Sequence, residues 1–182
     1  MGLVARLQGP CLSLARLVHG GYSALRYGLV RQGIIVGERR VILLVEDDED
    51  QVLLAMRALR EHGVASEVDE IVVAKDGDEA LDYLFGEGEY AGRDPGVTPE
   101  FVLLDVDLPK TTGLQVLERV RADERTELVP VILFSASDRH RDVVEGYKLG
   151  ANSYVSKPSS FKDFSEAMRL LGWYWLNWNE SP

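Results

Sequence analysis

From Val41 onward, short apolar runs alternate with amphipathic stretches, and no other feature of this chain narrows its possible folds as much. Five runs read as strands: residues 41–45 (VILLV), 70–73, 101–104 (FVLL), 129–134 (VPVILF) and 152–155. The first, third and fourth are almost wholly apolar, as central strands of a parallel sheet covered on both faces must be. The segments 50–62, 78–85, 113–121, 139–149 and 160–178 carry helical periodicity. Strict strand–helix alternation with right-handed crossovers predicts an α/β architecture, a doubly wound (βα)5 sandwich around a five-stranded parallel sheet.

Charge divides the chain in two. Residues 1 to 40 hold six arginines against the single acid Glu38, a balance of +5, which leaves −15 of the net −10 on residues 41 to 182. So acidic a body repels a phosphate backbone, which argues against nucleic acid as a partner, and it attracts divalent cations. Residues 1–40 are expected to be a basic N-terminal extension, disordered or loosely attached, because Gly9-Pro10, Gly20-Gly21, Gly28 and Gly33 cut any helix there into short pieces. Residues 41–182 are expected to form the folded domain. Cys11 is the only cysteine, so an intramolecular disulfide is impossible and a reducing, cytoplasmic setting is the simple reading. No run of about 20 apolar residues marks a membrane span.

In doubly wound sheets, ligands bind beyond the carboxyl ends of the strands, near the point where strand order reverses. That rule selects Glu46, Asp47 and Asp48 after the first strand, Asp105 and Asp107 after the third, Ser135 after the fourth and Lys157 before Pro158 after the fifth. Taken singly, each has a bland reading: Asp48 as a helix N-cap, Ser135 as a cap, Lys157-Pro158 as a turn. Together, at four successive strand tips, they describe a site. Clustered carboxylates repel unless a cation compensates, and Mg²⁺ prefers carboxylate oxygens while leaving open positions for phosphate. An ion held by Asp47 and Asp105 would leave one Asp105 oxygen free to attack a phosphoryl group, with Lys157 and Ser135 stabilising the transferred oxygens.

Two families of different class fit these residues. The stretch LLDVDLP resembles the first motif of haloacid-dehalogenase-type phosphatases, which would make Asp105 the nucleophile and Asp107 the general acid. Their order differs, however: such enzymes place a metal-binding acid pair after the lysine, whereas here only 25 residues follow Lys157 and the acidic cluster precedes Asp105. The order of VILLVEDDED, FVLLDVDLPKTTG, VPVILFSAS and GANSYVSKP instead resembles the receiver domain of bacterial two-component response regulators, over about residues 41 to 178. That resemblance implies a flavodoxin-like receiver fold and a phosphoacceptor signalling protein rather than an enzyme. It implies Asp105 as the phosphoacceptor, Asp47 with Glu46 and the Asp107 backbone carbonyl as Mg²⁺ ligands, and Ser135 and Tyr154 as switch residues. Lys157 would be the ion partner, preceding a cis peptide to Pro158. The side chains of Asp107 and Ser137 would influence the lifetime of the phosphorylated state. The long insertion YLFGEGEYAGRDPGVTPE is similar to that of single-domain regulators paired with phytochrome-type sensor histidine kinases, which implies such a kinase as partner.

No output domain is recognised before Pro182, so output is expected through surfaces. Phe161, Phe164, Met168, Leu171, Trp175 and Trp178 form an apolar stripe along the last helix. A helix over 160–178 would span about 28 Å against about 17 Å for a five-residue strand, so its last turns, GWYWLNW, should overhang the sheet. Trp173, Tyr174, Trp175 and Trp178 are therefore expected to cover a partner surface, with a homodimer as the first reading. The alternative is a monomer in which these rings fold back over the loop near Tyr90.

Overall fold

The computed structural model describes residues 40–64, 68, 70–136 and 139–180. The basic extension 1–40 lies outside them apart from Arg40, and so does Ser137. Five strands, β1 (Val41–Val45), β2 (Glu70–Ala74), β3 (Phe101–Leu104), β4 (Val131–Ser135) and β5 (Ser153–Ser156), form one parallel sheet in the order β2-β1-β3-β4-β5. The helices are α1 (Glu49–Glu61), α2 (Gly77–Phe85), α3 (Gly113–Arg121), α4 (His140–Lys148) and α5 (Phe161–Asn177), and a short 3₁₀ turn spans Gly88–Tyr90. No helix among the described residues is long and apolar enough to cross a membrane.

Alternation along the strands divides the core. Val41, Leu43, Val45, Val102, Leu104, Val131 and Leu133 face α2 and α3, while Ile42, Leu44, Phe101, Leu103, Ile132 and Phe134 face α1 and α5. Local chemistry starts each helix. Asp48 accepts from the N–H groups of Asp50 and Gln51 and caps α1, Asp76 caps α2, and Thr112 with Gln115 forms a capping box on α3. Ser160 caps α5. The fourth strand begins two residues later than its apolar run, since Pro130 has no N–H to give the ladder, and it extends one residue further to pair Ser135 with Ser156.

The C-terminal helix departs from the expected overhang. Its 17 residues span about 26 Å, but the floor beneath them is longer than the strands. Gly172 packs so closely on Val64, just past α1, that a Cβ there would lie 2.5 Å from Val64 Cγ1. Arg40, just before β1, donates through Nη2 to the Leu176 carbonyl at 2.9 Å and through Nε to Glu100 at 3.0 Å, satisfying a carbonyl that the helix end would otherwise leave without a partner. Trp175 is therefore only 7% exposed and belongs to the same cluster as Ile42, Leu59 and Phe101, so it is a core residue and not an interface residue. Folding back toward Tyr90 does not occur either: Tyr90 stacks edge-on against Tyr83 at 5.1 Å in the cluster on the opposite face of the sheet.

Candidate functional site

Strand order reverses between β1 and β3, and the residues that follow them are held by backbone bonds extending the ladder past the strands. Glu46 N–H donates to the Ala74 carbonyl at 3.0 Å, Asp105 N–H to Val45 at 3.0 Å, and Lys157 N–H to Ser135 at 2.8 Å. Three side chains from three strands are thereby fixed at one rim. Lys157 Nζ donates to Glu46 Oε2 at 2.6 Å and to Asp105 Oδ2 at 2.8 Å, and all three side chains are buried. One ammonium thus serves two carboxylates. Removing it would leave two uncompensated buried charges, a change that typically destabilises by about 3–5 kcal/mol.

The second oxygen of Asp105 is also engaged. Oδ1 accepts from Val106 N–H at 2.6 Å and, at the long limit of 3.4 Å, from Asp107 N–H. Gly113 is what lets the chain turn so closely here. Its N–H donates to the Val106 carbonyl at 3.0 Å, and a Cβ at 113 would sit 2.0 Å from the Asp105 carbonyl oxygen. The loop between β3 and α3 is further tied to the start of α2: Lys110 pairs with Asp76 at 2.6 Å and Thr111 donates to Asp78 at 2.6 Å. Lys110 itself adopts φ +59°, the left-handed region.

The acidic side has the donor set of a hard-cation site. Glu46, Asp47 and Asp105 each offer a carboxylate oxygen, all within 4.8 Å of one another. Glu46 Oε1 is buried without a hydrogen-bond partner among the described residues, an orphaned acceptor that an ion or its water would satisfy. Burial pushes the Glu46 carboxyl above its ordinary range, with Asp105 adding to the rise, against the lowering by the hydrogen bond and charge of Lys157. Asp47 is exposed at the mouth. These residues fit a Mg²⁺-type ion.

The remaining sequence-selected residues lie around this centre. Ser135 ends β4 and is fully buried. Tyr154, on β5, is half-buried against α4: it packs at Gly146, where the backbone approaches so closely that a Cβ would meet Leu133 Cδ1 at 2.5 Å. The Asp107 side chain points out to solvent and lies 3.8 Å from Arg139 Nη2. The Lys157–Pro158 peptide is trans, as are all peptides among the described residues; trans is the lower-energy form of an X–Pro bond, and Lys157 reaches both carboxylates from it. Arg139, Lys110 and Thr111 were not selected by sequence reasoning, because each acts through a partner distant in sequence and belongs to no local motif. The four exposed rings expected at the end of α5 reduce to three: Trp173 and Tyr174 are about half exposed and Trp178 is 65% exposed. Trp173 and Trp178 lie against each other with centroids 5.4 Å apart.

A family model for the response regulator receiver domain matches residues 42–169. FilR2 of Methanothrix harundinacea, named a probable methanogenesis regulatory protein, is 37% identical over 160 residues, covering 87% of this chain and 98% of FilR2. The structure of the phosphorylated cyanobacterial phytochrome response regulator RcpA matches with a TM-score of 0.72 at 31% identity, covering 79% of this chain and 99% of RcpA. The Mn²⁺-bound form of the response regulator Rcp1, a protein of Synechocystis sp., matches with a TM-score of 0.70 at 30% identity, covering 79% and 99% of the two chains. The phosphatase alternative gives way to these matches. With the acids of β1 and β3 and the lysine of β5 meeting at one switch point, the chain belongs to the response regulator receiver domain family.

Proposed function

We propose that Asp105 accepts a phosphoryl group from the phosphohistidine of a sensor histidine kinase, and that the resulting aspartyl phosphate is the signal rather than an intermediate of turnover. A carboxylate oxygen of Asp105 attacks phosphorus as the bond to the histidine nitrogen breaks, and the electron pair leaves with the imidazole. The observation that carries this reading is the sharing of Lys157 between Asp105 and Glu46 beside an exposed Asp47. It holds the nucleophile in a fixed orientation, and it leaves an ammonium to pair with the new phosphoryl oxygens. Mg²⁺ held by Asp47, Asp105 and the Asp107 backbone carbonyl, with Glu46 beside them, would supply charge neutralisation at the transferring group. Ser135 is the hydroxyl that turns toward the phosphoryl group, and Tyr154 is the ring that follows it against α4.

Similarity to RcpA favours a phytochrome-type kinase as the donor. Output runs through surfaces, in the cytoplasm. The exposed rings Trp173, Tyr174 and Trp178, next to the half-exposed Leu170, form an apolar patch of the kind that marks an interface, and a second copy of the chain is the proposed occupant. Its test uses point substitutions, since cutting the chain after Leu171 would strip Trp175 and Leu176 from the core. Trp173→Ser with Trp178→Ser should sediment as a monomer where the parent sediments as a dimer, and unchanged association would refute this interface. The phosphoacceptor reading is tested by mass: with Mg²⁺ and acetyl phosphate the protein should gain one phosphoryl group, and Asp105→Asn should gain none. Sustained hydrolysis of unrelated phosphoesters, abolished in Asp107→Asn, would contradict it.

A further inference from the structure

Arg139 occupies the N-cap of α4 but makes no side-chain capping bond. Its guanidinium instead spans two acids. Nε donates to Asp142 Oδ2 at 2.9 Å in the first turn of α4, and Nη2 lies 3.8 Å from Asp107 Oδ1. Asp142 is buried and gives the guanidinium a fixed anchor, whereas Arg139 and Asp107 are both well exposed. The contact therefore links the exit of β3, two residues past Asp105, to the start of α4. Lys157 is buried and already shared by Glu46 and Asp105; Arg139 is an exposed cation facing the Asp107 carboxylate, two residues past Asp105.

Resting on the reading that Asp105 accepts a phosphoryl group, we propose that Arg139 is a positioning residue for that reaction. It screens the Asp107 carboxylate, so that a site assembled from carboxylates to hold a cation also admits an anionic donor. The two demands oppose each other. Every added negative charge at the rim strengthens Mg²⁺ binding and repels the donor, and every charge screened does the reverse. An exposed pair at 3.8 Å shifts such equilibria by a few-fold rather than by orders of magnitude. The signs are what identify it, because a merely structural role for Arg139 would weaken both functions when lost.

The test uses the full chain and two readouts: Mg²⁺ affinity of the unphosphorylated protein by calorimetry, and the rate of phosphorylation by acetyl phosphate at saturating Mg²⁺. Arg139→Gln should bind Mg²⁺ about two- to fivefold more tightly and react more slowly by a similar factor. Arg139→Lys should restore both, and Asp107→Asn should move both in the opposite direction. In the Asp107→Asn background, the effect of Arg139→Gln on Mg²⁺ affinity should fall below about 1.5-fold, as expected when one residue acts through the other. The proposal is overturned if Arg139→Gln weakens both functions, leaves both unchanged, or acts equally with and without the Asp107 carboxylate. Should the parent protein take up no phosphoryl group at all, the phosphoacceptor reading fails, while the Mg²⁺ arm of the cycle still decides the role of Arg139.

Discussion

Replacing Trp175 by Ala tests how α5 ends, and the structure sets the magnitude. The Trp175 side chain is 7% exposed, and a buried tryptophan removes roughly 200 Å² from water. At about 25 cal/mol per Å² that corresponds to at most about 5 kcal/mol, and large-to-small substitutions of buried aromatics cost about 3–5 kcal/mol once the cavity is included. Trp178, three residues on and 65% exposed, should cost less than about 0.5 kcal/mol when replaced. The two substitutions remove the same chemistry from the same helix end, so their difference isolates burial. Urea unfolding followed by far-ultraviolet circular dichroism, at one protein concentration low enough to keep the chain monomeric, reads both. A loss of under about 1 kcal/mol for Trp175→Ala, or an equal loss for the two variants, would mean that the helix end is not packed on Ile42, Leu59 and Phe101 as described.

Further predictions follow from single contacts. Gly113→Ala forces a methyl group onto the Asp105 carbonyl, 2.0 Å away, so phosphorylation by acetyl phosphate should slow by at least about tenfold through misplacement of the nucleophile; an unchanged rate would show that the turn yields freely. Asp123 has its carboxyl held down at about 2, first by the Arg125 side-chain hydrogen bond and then by the Arg125 backbone N–H. Because the folded value lies below the unfolded one, this group's stabilising contribution is present above about pH 4 and lost as pH falls through about 2. A carboxyl-resonance titration by nuclear magnetic resonance should find that midpoint, and one near 3.8, the ordinary value, would refute the pairing. Lys157→Ala should lower stability at neutral pH by about 3–5 kcal/mol in thermal denaturation, since Glu46 and Asp105 would remain buried and mutually repelling; a loss below about 1 kcal/mol would contradict the shared ion pair.

The strands were legible because a parallel sheet covered on both faces requires unbroken apolar runs, and VILLV and FVLL supply them. The site was legible because chain order places Glu46, Asp105 and Lys157 each immediately after a strand, and the ladder then has no freedom to place them elsewhere. Trp175 was misassigned for a reason visible only in three dimensions. Strand length bounded the sheet but not the floor beneath it, where Val64, Arg40 and Glu100 lengthen the surface on which α5 rests. Arg139 carries no local signal, since its partner Asp107 stands 32 residues earlier in the sequence and the two meet only when β3 and β4 are neighbours. The Lys110–Asp76 and Thr111–Asp78 ties likewise join residues 34 and 33 positions apart, which no local motif encodes. Helix boundaries fell within a residue or two of expectation because Asp48, Asp76, Thr112 and Ser160 each supply a side-chain cap.

The central claim concerns one oxygen-bearing residue, and chemical trapping reads it at single-residue resolution. Phosphorylating the full chain with acetyl phosphate and Mg²⁺, reducing the acyl phosphate with borohydride and sequencing the peptides by mass spectrometry converts a phosphorylated aspartate into homoserine. The predicted result is homoserine at position 105 and at no other aspartate. Homoserine at position 47 or 107, or none anywhere in a protein that binds Mg²⁺, would contradict the assignment of Asp105 as the phosphoacceptor.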